Sequence, residues 1–116
     1  MFLSTMRKGF HMTFENGLTV SVQWGAGNYC DNHFPADNDF SFSKDAKSSN
    51  AEIAILYKDE FLDPQHFTDE KIGGDGMVSG YLSAEQVAKI IYNASTTPID
   101  IFLLWYDEAQ KLNPFN

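Results

Sequence analysis

The sequence predicts an α+β domain: an antiparallel sheet of three to five strands, begun by a hairpin and covered by two C-terminal helices. Three observations lead there. Residues 9–24 alternate apolar and polar side chains about an Asn-Gly pair. Residues 51–57 form an apolar run of strand length. From residue 83 onward the apolar spacing changes from every second residue to every third and fourth. The 116 residues suffice for one core, so 1–116 is expected to be a single domain.

The hairpin is "GFHMTFENGLTVSVQW". A two-residue loop at Asn16-Gly17 would set Phe14 opposite Thr19 and Met12 opposite Ser21, mixing apolar with polar on each face. A three-residue loop, Glu15-Asn16-Gly17, sets Phe14 opposite Leu18, Met12 opposite Val20 and Phe10 opposite Val22. His11, Thr13, Thr19 and Ser21 then share the other face. The pattern therefore predicts a type I turn closed by Gly17 in the left-handed region, a G1-bulge hairpin. Its core face is Phe10, Met12, Phe14, Leu18, Val20 and Val22, with Trp24 following.

Residues 25–50 show no sustained period, and "FSFS" at 40–43 offers at most a short strand. In "AEIAILY", Ile53, Ile55 and Tyr57 share one face while Ala54 and Leu56 share the other, which suits a central strand. "DPQHFTDEKIGGDG" is irregular, and "MVSGYL" is a short strand after it. The first helix starts at Ser83 as N-cap with Gln86 completing a capping box, carries Val87, Ile90 and Ile91 as its stripe, and stops near Asn93. The second has Thr97 as N-cap, Pro98 in the first helical position and Asp100 in the first turn. Ile99, Phe102, Leu103 and Tyr106 follow helical spacing. Ile101, Leu104 and Trp105 make this helix apolar nearly all round, so it is expected to be buried or to pair with another copy, giving a homodimer through those three residues.

Composition narrows the function. The net charge is −8, and residues 31–75 hold eleven acids against four bases. Direct binding to nucleic acid or to an anionic membrane needs a positive field and is disfavoured. An acidic field suits a protein with a basic surface. No apolar run reaches the roughly 18–20 residues that span a bilayer, and "MFLSTMRKGF" has too short an apolar run for a signal peptide. A single Cys allows no intrachain disulfide, so the expected compartment is the cytoplasm.

Several motifs invite chemistry. Cys30 and His33 form C-x-x-H, two metal ligands where a structural zinc site takes four; His11 and His66 would have to complete the set. As a nucleophilic pair, Cys30 would need a stabilised thiolate, which the neighbouring Asp31 opposes. No cofactor and no metal is expected. "GAGNY" and "IGGDG" lack the spacing of phosphate-binding loops. Two glycine loops with aromatic neighbours are nevertheless able to wrap a small ligand, through Trp24, Gly25, Gly27, Tyr29, Gly73 and Gly74. A nucleotide-like ligand there would need a cation, for which Lys71 is the candidate. The Asp and Glu residues near 31–39 and 59–63 lack the spacing of a calcium loop.

With "GFHMTFENGLTVSVQWGAGNYCDN" and "AEIAILYKD…GYLSAEQVAKII" in view, the chain resembles a family of small, uncharacterised proteins of tailed bacteriophages and prophages. The shared pattern is an F-x-NG-x-T-V-S-V-Q hairpin, then G-x-G-N-Y-C, an A-E-I-A strand and a short capped helix. It covers roughly residues 9–31 and 51–92. The resemblance implies an accessory factor acting in the host cytoplasm, and it implies no activity or site residues.

Three functional readings follow. The first is a non-enzymatic acidic binding protein, a phage accessory factor that docks on and inhibits a host protein through Asp37, Asp39, Asp59, Glu60 and Asp63. The second is a protein that sequesters a nucleotide-like small molecule between the glycine loops. The third is a thiol- or metal-dependent enzyme using Cys30, His33 and His11.

Overall fold

The computed structural model describes residues 1–5, 8–33 and 47–112. Asp37, Asp39 and the "FSFS" segment lie outside the described residues. Among the described residues six strands, one more than the three to five expected, and two helices follow in chain order: β1 (Phe2–Ser4), β2 (Gly9–Thr13), β3 (Thr19–Gln23), β4 (Ala51–Tyr57), β5 (Glu60–Leu62), β6 (Val78–Leu82), α1 (Ala84–Thr96) and α2 (Ile99–Leu112). The sheet is antiparallel throughout, with helices following it, so the α+β class holds.

The hairpin forms in the register that side-chain chemistry requires. Phe10 faces Val22, Met12 faces Val20, and His11 faces Ser21. The Phe14 amide hydrogen-bonds the Leu18 carbonyl, the Gly17 amide returns to the Phe14 carbonyl, and Gly17 sits at φ +92°. That dihedral is the left-handed region which a side chain resists and glycine adopts freely. Asn16 joins this turn to the helices. Its side-chain amide donates to the carbonyls of Ala94 and Thr97 at 2.8 and 2.9 Å, while its oxygen accepts the Leu18 amide. The hairpin tip thus caps the corner between α1 and α2.

β4 is the central strand. β3 pairs with one edge, while β5 and β6 divide the other, β5 against Ile55–Tyr57 and β6 against Ala51–Ala54. β1 and β5 are strands of three residues, too short for any alternation to register in the sequence. Leu18 of the hairpin loop and Val20, Val22, Ile53 and Ile55 of the sheet pack with Ile90 and Ala94 of α1 and Phe102 of α2. Truncating a residue such as Leu18 to Ala there costs about 2–5 kcal/mol.

The β4–β5 connection is a two-residue turn. Tyr57 pairs with Glu60, and Lys58 and Asp59 lie at φ 50° and 63°, as a type I′ turn demands of both central residues. The irregular stretch after β5 is firmly bonded. Asp63 caps a 3-10 turn, Pro64–Phe67, by accepting the Gln65 amide. The Gln65 side chain then holds the Glu70 carbonyl and the Ile72 amide, and Glu70 accepts from Lys89 and Gln86 of α1.

α1 begins with the capping box of Ser83 and Gln86 and runs to Thr96, beyond the stop at Asn93 that the sequence suggests. The Thr97 hydroxyl donates back to the Asn93 carbonyl, so it finishes α1 rather than capping α2. The Phe102 amide bonds the Pro98 carbonyl, which places Pro98 just outside the helix instead of in its first position. Phe102 is buried, and Tyr57 packs edge-on against it. Trp105 stacks on His66 at 4.5 Å and meets Phe67 edge-on, while Ile101 and Leu104 are exposed. α2 is therefore neither fully buried nor uniformly free. No helix among the described residues is long and apolar enough to cross a membrane.

Candidate functional site

The stretch Trp24–His33 folds on itself after β3. The Asn28 amide bonds the Gly25 carbonyl, and the Gly27 amide bonds the His33 carbonyl. Gly25 is needed because a β-carbon there would stand 2.3 Å from Cβ of Lys8. Cys30 is 1% exposed, with its thiol turned toward the Gly25 carbonyl at 3.7 Å. His33 hydrogen-bonds the Asn28 carbonyl through Nδ1 and stacks on Tyr29 with ring planes 11° apart. His11 lies on the opposite sheet face, beside Leu3, Thr13 and Leu56. Among the described residues no three His, Cys, Asp or Glu side chains gather as a metal set.

Tyr29 leaves this loop toward β6. Its amide donates to Glu52 Oε2 at 2.8 Å, and its carbonyl accepts the Tyr81 amide at 2.8 Å. That second bond depends on an irregularity in β6. Ala51 pairs with Leu82 and Ile53 with Ser79, so β6 carries one residue more than β4 over the same span. The surplus falls at Gly80-Tyr81, a β-bulge. Gly80 lets Tyr29 approach: a β-carbon on it would stand 2.4 Å from Cβ of Tyr29 and 2.8 Å from the Tyr29 carbonyl. Tyr81 is forced to φ +57° and is 56% exposed. A bulky aromatic at positive φ is a true outlier, held only when its surroundings over-determine it.

The second glycine loop closes the opposite side. A β-carbon on Gly74 would stand 2.5 Å from the Val78 carbonyl, so the chain lies flat against β6. Asp75 then turns the chain by accepting the amides of Met77 and Val78, each at 2.9 Å. Those two backbone bonds hold the Asp75 carboxyl below its ordinary range, so it is ionised at neutral pH. Tyr29 and Tyr81, the Gly73–Asp75 backbone, Val78 and Gly80 enclose an open hollow of about 310 Å³.

The structure therefore brings three of the six sequence-indicated ligand residues, Tyr29, Gly73 and Gly74, to one place. Trp24 lines a separate apolar pocket between the sheet and α1, Gly25 packs on Lys8, and Gly27 lies apart from the hollow. Lys71 is not in the lining, which among the described residues holds no Lys or Arg and one carboxylate. Of the acidic docking set, Asp59 and Glu60 are exposed at the β4–β5 turn, at the other end of β4 from the hollow, and Asp63 caps the 3-10 turn. Tyr81, Gly80 and Asp75 were not singled out from the sequence, although an isolated Gly within a strand pattern signals a bulge or a close approach. Ile101 and Leu104 are exposed on α2 as a pairing surface requires, whereas Trp105 is packed on His66 and Phe67.

The chain matches no known protein family, curated protein or solved structure.

Proposed function

We propose that this protein is a non-enzymatic binding protein whose recognition site is the Tyr29–Tyr81 hollow. One observation carries the reading: Tyr29 of the first glycine loop meets Gly73–Asp75 of the second at a hollow whose rim is Tyr81, an aromatic residue held at positive φ. The bulge moves Tyr81 out of the β6 alternation and sets it beside Tyr29, and backbone strain of this sort clusters at binding sites. Cys30 is buried and Nδ1 of His33 is bonded to the Asn28 carbonyl rather than to the thiol, which favours binding over thiol chemistry. In keeping with the resemblance to phage accessory proteins, the bound partner is a host protein and the consequence of binding is its inhibition.

A second reading has its own support. Asp59 and Glu60 project from a tight turn, and no ion pair engages either among the described residues, so this tip presents two solvated carboxylates to a basic surface. It is a secondary contact in the same docking scheme.

Amide ¹⁵N–¹H spectra recorded with acetyl-arginine amide, acetyl-glutamate amide, AMP and maltose test the site. Perturbations gathered on Tyr29, Gly73–Asp75 and Gly80–Tyr81 are expected from at least one probe. If every probe leaves those amides unmoved, or the shifts gather elsewhere, the hollow is not the recognition site.

A further inference from the structure

Building on the hollow as the binding site, we infer that the group it takes is the guanidinium of an arginine side chain presented by the partner protein. Phosphate is poorly served: among the described residues the lining holds no Lys or Arg, and its ionisable carboxylate is Asp75. Asp75 stays charged because the Met77 and Val78 amides stabilise its ionised form. A second carboxylate, Glu52, lies one hydrogen bond behind Tyr29. Two exposed tyrosines complete the lining, at 48% and 56% accessibility. Aromatic faces attract cations through the ring quadrupole, and the planar guanidinium both stacks on such faces and matches a carboxylate with its fork of N–H donors. The −8 charge of the chain favours the approach of a basic partner. Gly74 is fixed as glycine by the Val78 carbonyl, while the open space beside Gly73 leaves room for a flat group.

The probe is the tripeptide acetyl-Gly-Arg-Gly-amide, titrated into the full chain beside its citrulline counterpart, which has the same shape without the charge, and beside AMP. The arginine peptide is expected to shift the amides of Gly73, Gly74 and Gly80 saturably, with the citrulline peptide about tenfold weaker or worse. Asp75→Asn is expected to weaken the arginine peptide severalfold, because the amide oxygen still accepts the Met77 and Val78 amides while the charge is gone. Equal binding of arginine and citrulline, or AMP binding more tightly than either, overturns the guanidinium assignment and leaves the hollow as the site. Silence from all three probes overturns both.

Discussion

The two ends of β4 each border residues at positive φ, and the two cases differ in cause. At the C-terminal end, Lys58 and Asp59 are left-handed because a two-residue hairpin loop requires it of any sequence. At the N-terminal end, Tyr81 is left-handed in a strand that had no such need, beside a glycine that is a glycine only because Tyr29 lies against it. The first corner closes a turn. The second aims a ring. The difference teaches that strain is informative where the local topology does not already demand it, and it is on the strain at Tyr81 that the proposed binding site rests.

The comparison is broken most severely at Gly80. Gly80→Ala drives a methyl into Tyr29, so about 2 kcal/mol of stability should be lost together with probe binding, measured by urea unfolding. An unchanged unfolding midpoint would mean that the Tyr29 contact is not tight. Tyr81→Gly separates the two corners more sharply. It relieves the left-handed cost, so stability should hold or rise by up to about 1 kcal/mol while binding of the arginine peptide is lost. At the other corner, Lys58→Asn with Asp59→Gly supplies the preferred type I′ residues. The fold should gain about 1 kcal/mol, read by thermal unfolding, with peptide affinity through the hollow unaltered. A loss of affinity there would bring the β4–β5 tip into the main site.

The smallest expected effect concerns pH. A hydrogen bond from Lys89, a second from Gln86 and the Lys89 charge hold the Glu70 carboxyl below its ordinary value of 4.5. Its contribution is therefore present above that value and fades as the pH falls through the lower folded-state value. Stability followed from pH 6 downward should decline below about 4.5, and Glu70→Gln should flatten part of the decline. An identical profile in the variant would show that the contact to α1 adds nothing.

Much of the fold was legible because it obeys local rules. The hairpin register follows from keeping Phe10, Met12, Val20 and Val22 on one face, and the Ser83–Gln86 box marks the start of α1. The two-sided apolar pattern of Ala51–Tyr57 gave the central strand. The site was half legible. Composition points to Tyr29, Gly73 and Gly74, but nothing in the spacing of "GAGNY" and "IGGDG" says that they meet. Their meeting depends on β6 pairing beside the start of β4, a non-local event. Tyr81 looked like an ordinary strand aromatic, and Asp75 like one acid among many. Their roles come from one surplus residue in the ladder and two backbone amides. Thr97 and Pro98 misled for a related reason: with two helices meeting at one corner, the threonine hydroxyl serves the helix before it.

The most direct test of the central claim pairs two measurements on Tyr81→Gly and the native chain: the urea unfolding midpoint and the affinity for acetyl-Gly-Arg-Gly-amide. A midpoint equal or higher with affinity reduced at least about tenfold is the predicted result, since an exposed ring is removed and a strained backbone relaxed. A lower midpoint with unchanged affinity would contradict it, making Tyr81 a structural residue and the hollow incidental.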